Sequence, residues 1–191
     1  MVDQDNNFSN KKIIYFYETF EGNSKPEHRY LNNFYNSPFI SESGESFASV
    51  EHYYQCHKFG DFTKEGFKDK FESIRKSEDA DICKKLSRKY TKEMKPEDWD
   101  KENWDNKLKD YYMKRALTFK FSQNKDLLSK LLSTKDYKLI EESKKDAYWG
   151  GLIENSLNKL GYMLMELRDN YDKTKTVYLE GSNLDPVKVV L

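Results

Sequence analysis

The chain has 191 residues, with 33 Lys and Arg against 33 Asp and Glu, which fits one domain with a sizeable core and no net charge. That balance argues against a broad electrostatic binder of nucleic acid, and no apolar run approaches the ~18 residues of a membrane span. The 14 Tyr, 12 Phe and 3 Trp exclude a disordered polar chain, although 35% of residues are charged. The opening MVDQDNNFSNKK has no apolar core of a signal peptide, and Cys56 and Cys83 cannot make a disulfide framework. The expectation is a cytoplasmic protein.

Residues 1–11 read as a flexible segment. Ile13 to Tyr17 is a β-prone run, and 21–29 has loop composition. Tyr30 to Phe39 mixes aromatics with Asn, Ser and Pro, which predicts an ordered loop with a short strand. From Ser49 to Phe59, Val50, Tyr53, Tyr54 and His57 form one apolar stripe of a helix, with Glu51, Gln55 and Lys58 stacked on the opposite face. Thr63 caps a helix to Ile74 with Phe67, Phe71 and Ile74 inward. Ser77 or Asp79 opens another to about Tyr90, with Ile82, Cys83 and Leu86 inward. Pro96-Glu97-Asp98 looks like a helix start. Asn103 or Asp105 begins the longest helix, to about Ser122, burying Leu108, Tyr112, Ala116, Leu117 and Phe121 in part.

Asn124 caps a short helix, 137–141 is a strand candidate, and 148–151 is a turn. A last helix, from about Ser156 to Tyr171, buries Leu157, Leu160, Leu164 and Leu167. The tail 174–191 contains a strand candidate at Thr176 to Leu179. With no repeats and no Gly/Ser linker, the fold class expected is α+β, mostly α with a small β component. One compact domain is expected over 12–173.

No Gly-rich phosphate loop, HExxH, GxSxG or paired CxxC occurs, so the chemistry must come from carboxylates, amides, Lys and aromatics. His52 and Cys56 stand i,i+4 apart, but two ligands are too few for a metal site, and neither metal nor cofactor is expected. Such a residue set suits glycosidic bond hydrolysis, in which carboxylates stabilise a cationic sugar and activate water. On an arbitrary helix, Glu51, Gln55 and Lys58 would be a solvated face.

The motifs favour function. Tyr30-Leu31-Asn32-Asn33-Phe34-Tyr35-Asn36-Ser37-Pro38-Phe39 resembles the F-L-S-N-F-Y-x-S-P-F block of the NADAR superfamily of YbiA-like N-glycosidases. Ser49 through Lys58 resembles its S-V-E-H-x-[YF]-Q-A-x-K block, with Cys56 in place of Ala. Further blocks follow in order: Cys83 to Arg88, Trp104-Asp105 through Lys120-Phe121-Ser122-Gln123-Asn124, Leu131 through Glu141, Ser143, Asp146, Trp149 and Gly150, and Asn158 through Arg168. The resemblance covers about residues 14–171. One departure is 151–157, where the family often has glycines; fewer glycines restrict backbone approach to a ligand, which bears on substrate choice.

The resemblance implies hydrolysis of a ribosyl C–N bond, with phosphoribosylamino-pyrimidine intermediates of riboflavin biosynthesis as substrates. Its alternatives are removal of ADP-ribose from guanine in nucleic acid or nucleotides and, in another class, a non-catalytic module that binds ADP-ribose or a nucleotide. The partner expected is thus a small ribosyl or phosphoribosyl molecule, with nucleic acid only as an ADP-ribosylated substrate and no membrane. It implies Glu51, Lys58, Glu141 and Asp146 as catalytic residues, with Glu141 or Asp146 acting on water and Glu51 orienting Lys58. An imine from Lys58 to an opened sugar is a variant of this scheme. Asn33, Phe34, Trp104, Asp105, Gln123, Trp149 and Asn158 would contact substrate, and Lys84 and Arg88 would bind phosphate. Phe34 reads equally as core, Asn158 as a loop tie, and Lys84 and Arg88 as a solvated face.

Overall fold

The structure is a computed structural model that describes residues 12–18, 22–59, 64–95, 98–99, 101–174, 176–181 and 184–190. The expectations for 1–11, Thr63, Pro96 and Glu97 lie outside the described residues. The fold is α+β and mostly helical, as the hydrophobic periodicity predicts. It forms two units: the described residues of Met1–Asn32 with Asp126–Thr174, and those of Asn33–Lys125 with Lys175–Leu191.

In the first unit, β1 (Ile13–Phe16) pairs in parallel with β4 (Lys138–Glu141), in register from Ile13↔Lys138 to Phe16↔Glu141. Parallel neighbours need a long crossover, and here the first segment of the second unit supplies it. Between β1 and the boundary, the expected loop becomes a 3-10 turn over Pro26–Leu31, with Pro at its start and Tyr30 and Leu31 buried. The helices α6 (Lys125–Ser133) and α7 (Lys159–Thr174) complete the unit. Helix α7 lies on β4 and buries Leu160, Leu164 and Leu167, the stripe its spacing predicts. Leu157, expected inward, is 49% exposed, because the helix starts only at Lys159 and Asn158 turns the chain at φ +47°.

The second unit is built around α1 (Val50–Cys56). Ser49 caps it, its Oγ accepting the His52 N–H at 3.4 Å, and a 3-10 turn over His57–Phe59 continues it. Three helices pack against α1: α2 (Phe67–Arg75), α3 (Ala80–Glu93) and α5 (Lys109–Gln123). Phe67, Phe71 and Ile74 point inward from α2 as expected. Asp79 caps α3 by accepting the Ile82 N–H at 2.7 Å; Cys83 is buried, while Ile82 and Leu86 are half-buried. The longest helix begins earlier than its caps suggest, with α4 (Lys101–Asn103) running through a π-helical turn, Trp104–Leu108, into α5. In α5, Ala116, Leu117 and Phe121 are buried, with Leu108 and Tyr112 half-buried before and within it.

The Asn124 amide nitrogen donates to the carbonyls of Lys120, at 2.8 Å, and Pro38, at 3.2 Å. It therefore closes α5, where a cap of α6 was expected. A short antiparallel pair, β2 (Phe39–Ile40) with β3 (Ser46–Phe47), covers an aromatic core of Phe39, Phe47, Tyr53, Phe71 and Phe119. The tail contributes β5 (Thr176–Gly181), which extends the predicted strand, and its antiparallel partner β6 (Leu184–Val190), which local composition does not single out.

Candidate active site

Because α1 is wrapped by three helices, its polar face is interior: Glu51 is 2% exposed and Gln55 4%. A buried carboxylate needs hydrogen bonds or opposite charge, and Glu51 has both. The Asn33 side-chain N–H donates to Oε2 at 2.5 Å, and that of Gln55 donates to Oε1 at 2.7 Å. The backbone is tied at the same place, since the Glu51 N–H donates to the Asn33 carbonyl at 3.0 Å. Burial pushes the Glu51 carboxyl up from its ordinary range, opposed by the charges of Lys84 and Lys58 and by the two amides.

Lys58 follows one turn after Gln55. Its ammonium stands over two aromatic faces, 5.6 Å from the ring centroids of both Tyr54 and Trp104. Trp104, 4% exposed, sits 5.2 Å from Tyr54 and stacks on Tyr112 at 5.9 Å. Burial brings Lys58 down to about 8, with Glu51 opposing the shift and Lys84 and Arg88 adding to it. Lys84 lies over the half-buried Phe34 ring at 5.0 Å, and Arg88 is exposed on the same helix. Within this unit the fold thus gathers Asn33, Phe34, Glu51, Lys58, Lys84, Arg88 and Trp104 from a loop and three helical segments.

Two residues expected beside them are engaged otherwise. Gln123 uses both ends of its amide on β2, accepting the Ile40 N–H at 2.8 Å and donating to the Ile40 carbonyl at 2.7 Å. Asp105 pairs with Lys101 one turn away.

In the first unit, Glu141 ends β4 and is 7% exposed. The Asn158 amide ties this strand end, accepting from Glu141 N at 3.1 Å and donating to the Leu139 carbonyl at 2.8 Å. The Asp146 carboxylate holds a turn, its Oδ1 accepting the N–H groups of Tyr148 and Trp149, each at 2.9 Å. The Trp149 ring is half-buried beside Tyr148, with centroids 5.0 Å apart. Tyr17, which no motif singles out, hydrogen-bonds Ser143 and lies in the field of Glu141 and Asp146. Burial raises its phenol above the ordinary range. Only the pairing of β1 with β4 brings it there, and short strands far apart in sequence leave no local trace of their pairing.

Among the described residues, no group of three or more His, Cys, Asp and Glu side chains is placed to hold a metal ion. In chemical terms the second unit offers a buried anion held by amides, and beside it a partly desolvated ammonium on an aromatic wall. That pairing can orient a cation, grip an anionic ligand or stack a planar ring.

The profile of the NADAR domain matches residues 15–171. A riboflavin biosynthesis protein of Vibrio vulnificus is 37% identical over 157 residues, covering 82% of this chain and 38% of that protein. The chain thus spans well under half the length of that relative. The N-glycosidase YbiA of Escherichia coli is 34% identical over 158 residues, covering 82% of this chain and 87% of YbiA. The NMR structure of E. coli YbiA superposes with a TM-score of 0.68 at 31% identity, over 86% of this chain and 88% of that one.

Proposed function

The chain belongs to the NADAR domain family, and on that premise we propose that it is an N-glycosidase acting on a ribosyl C–N bond. The substrate class is a phosphoribosylamino-pyrimidine of riboflavin biosynthesis, in keeping with the name of the V. vulnificus relative. The observation that carries the reading is the Glu51–Lys58 group, a buried carboxylate gripped by Asn33 and Gln55 next to an ammonium on Trp104 and Tyr54.

The reaction adds water across the bond. The water oxygen bonds to the anomeric carbon, the C–N bond breaks with its electrons going to nitrogen, and a proton ends on the released amine. The sugar becomes cationic on the way, and carboxylates stabilise it. Glu51 keeps Lys58 charged and oriented, and Lys58 holds the sugar or its phosphate. Lys84 and Arg88 extend the positive field for that phosphate. Phe34 and Trp104 supply apolar surface for a planar base. Of the two carboxylates that the first unit, taken by itself, offers, we choose Glu141 over Asp146 as the candidate for acting on water, since an oxygen of Asp146 already caps the Tyr148–Trp149 turn. No cofactor enters this scheme.

Zero net charge favours a small molecule over polymeric nucleic acid. Cys56 and Cys83 are free and buried, and among the described residues no helix is long and apolar enough to cross a membrane. Both observations support a cytoplasmic placement. The deciding experiment incubates the protein with a phosphoribosylamino-pyrimidine and, separately, with ADP-ribosylated guanosine. Release of ribose 5-phosphate from the first is expected. Release of ADP-ribose from the second alone would transfer the assignment to guanine de-ADP-ribosylation, and ligand binding without product would make the protein a binding module.

A further inference from the structure

The amide of Gln55 is 4% exposed, and its two ends are treated unequally. Nε2 donates to Glu51 Oε1 at 2.7 Å, whereas Oε1 is buried with no hydrogen-bond partner. An orphaned buried acceptor is costly, so something must hold the amide this way round. The cause is charge. With Glu51 ionised, the opposite orientation would set the amide oxygen against a carboxylate oxygen, while the observed one makes a charge-assisted bond, roughly twice as strong as a neutral one. No partner holds the far oxygen, so turning the amide over breaks only the bond to Glu51. Asn33 donates to the other carboxylate oxygen and is also held through its backbone carbonyl by the Glu51 N–H.

We infer that Gln55 is a positioning residue for the proposed reaction: its amide donates to ionised Glu51 beside Lys58, and turns over so that its oxygen accepts a hydrogen bond from the carboxyl O–H when Glu51 is protonated. The inference rests on the proposed N-glycosidase reading, in which an ionised Glu51 keeps Lys58 charged and oriented. The other groups facing Glu51 are Lys84 and Cys83 from α3, the latter with its thiol on the Glu51 carbonyl at 3.7 Å, and Lys58 from the turn after α1. Arg88 acts on Lys58. Glu72 and Arg75 of α2, with Glu45, face Cys56, and Arg115 of α5 faces Tyr53. Gln55 is therefore the group on α1 whose chemistry answers a proton at Glu51.

The test follows kcat/KM against pH with a phosphoribosylamino-pyrimidine, for wild type, Gln55→Met and Glu51→Gln. Loss of the amide donor makes Glu51 harder to ionise, so the acidic limb of Gln55→Met should move to higher pH, by about one unit. An unmoved limb overturns the inference. Full activity in Glu51→Gln overturns the underlying assignment of Glu51, independently of Gln55. A second readout needs neither turnover nor a folded variant: in the wild-type protein, NMR should show the Gln55 side-chain amide and the Glu51 carboxyl carbon titrating with one shared midpoint. Separate midpoints, or an amide signal that ignores Glu51, overturn the inference.

Discussion

Asn158 brackets the strand end that carries Glu141: its Oδ1 accepts the Glu141 N–H at 3.1 Å and its Nδ2 donates to the Leu139 carbonyl at 2.8 Å. The orientation of Glu141 therefore starts from a backbone that the entrance of α7 holds in place. Gly161 makes room for the arrangement, since a Cβ there would meet the Leu139 carbonyl and the Asn158 amide, 2.6 Å from its nitrogen. Asn158→Ala should leave two buried backbone groups without partners and cost about 2–4 kcal/mol. Calorimetry decides, and an unchanged Tm would remove Asn158 from this role.

Glu141→Gln keeps the shape of the side chain and removes the charge that our proposed role for Glu141 in activating water requires. Loss of a general base typically costs ~10²–10⁴-fold in rate, and the loss should fall on kcat with KM little changed. Asp136, exposed in the turn after α6, serves as the control, and Asp136→Asn should keep wild-type rates. A Glu141→Gln protein with wild-type Tm and wild-type kcat ends the case for Glu141.

Lys58 is held down to about 8 by burial, so its charge is present below that pH and lost above it. If the ammonium grips the sugar or phosphate, kcat/KM should fall as pH rises through about 8. Lys58→Met should lose that limb along with about 10²-fold in kcat/KM. Reduction with borohydride during turnover distinguishes the covalent variant: an adduct trapped on Lys58 would show that the neutral amine works as a nucleophile, reversing the expected pH dependence.

A staple at Glu142, the residue after Glu141, governs acid stability. Glu142 accepts the backbone N–H groups of Asn23, at 2.8 Å, and Ser24, at 2.6 Å, and the Ser24 hydroxyl at 2.7 Å. Burial alone would raise its carboxyl, but these bonds outweigh burial and hold it below the ordinary range. A depressed carboxyl contributes stability above its unfolded pKa, about 4.3, and loses it as pH falls through the lower folded value. Glu142→Gln should thus lower Tm at neutral pH and flatten the decline of Tm below pH ~4. Gly22 sits at φ +86° with its missing Cβ directed at the Glu142 carboxylate, so Gly22→Ala should destabilise by about 1–3 kcal/mol. Urea titration of the two variants at pH 7 and pH 3 checks both statements.

The helices were legible because their apolar periodicity and caps are local. Asp79, one of two caps that the sequence offers for α3, caps it, and Leu160, Leu164 and Leu167 of α7 are buried as their spacing predicts. The environment of Glu51 was not legible. An i,i+4 polar face reads as solvated until α2, α3 and α5 are known to close over it, and that closure is a property of the tertiary packing alone. The bonds of Gln123 were not legible either: its amide joins Ile40 at both ends across β2 and α5, a contact that the spacing of the sequence does not show. The partners of β1 and of β5 lie beyond any local pattern, so Tyr17 entered only through the register of β1 with β4.

The π-helical turn at Trp104–Leu108 holds one residue more than an α-helical path over the same rise would. Deleting one residue between Trp104 and Leu108 would restore α register and rotate everything upstream by about 100° around the axis. Helix α5 would keep Ala116, Leu117 and Phe121 in the core, while Trp104 would swing away from Tyr54 and Lys58. A chain shortened there should lose turnover and melt lower, since the buried packing of Trp104 on Tyr54 and Tyr112 goes with it. The length of this stretch, as well as its Trp, therefore sets where the aromatic wall beside Lys58 stands.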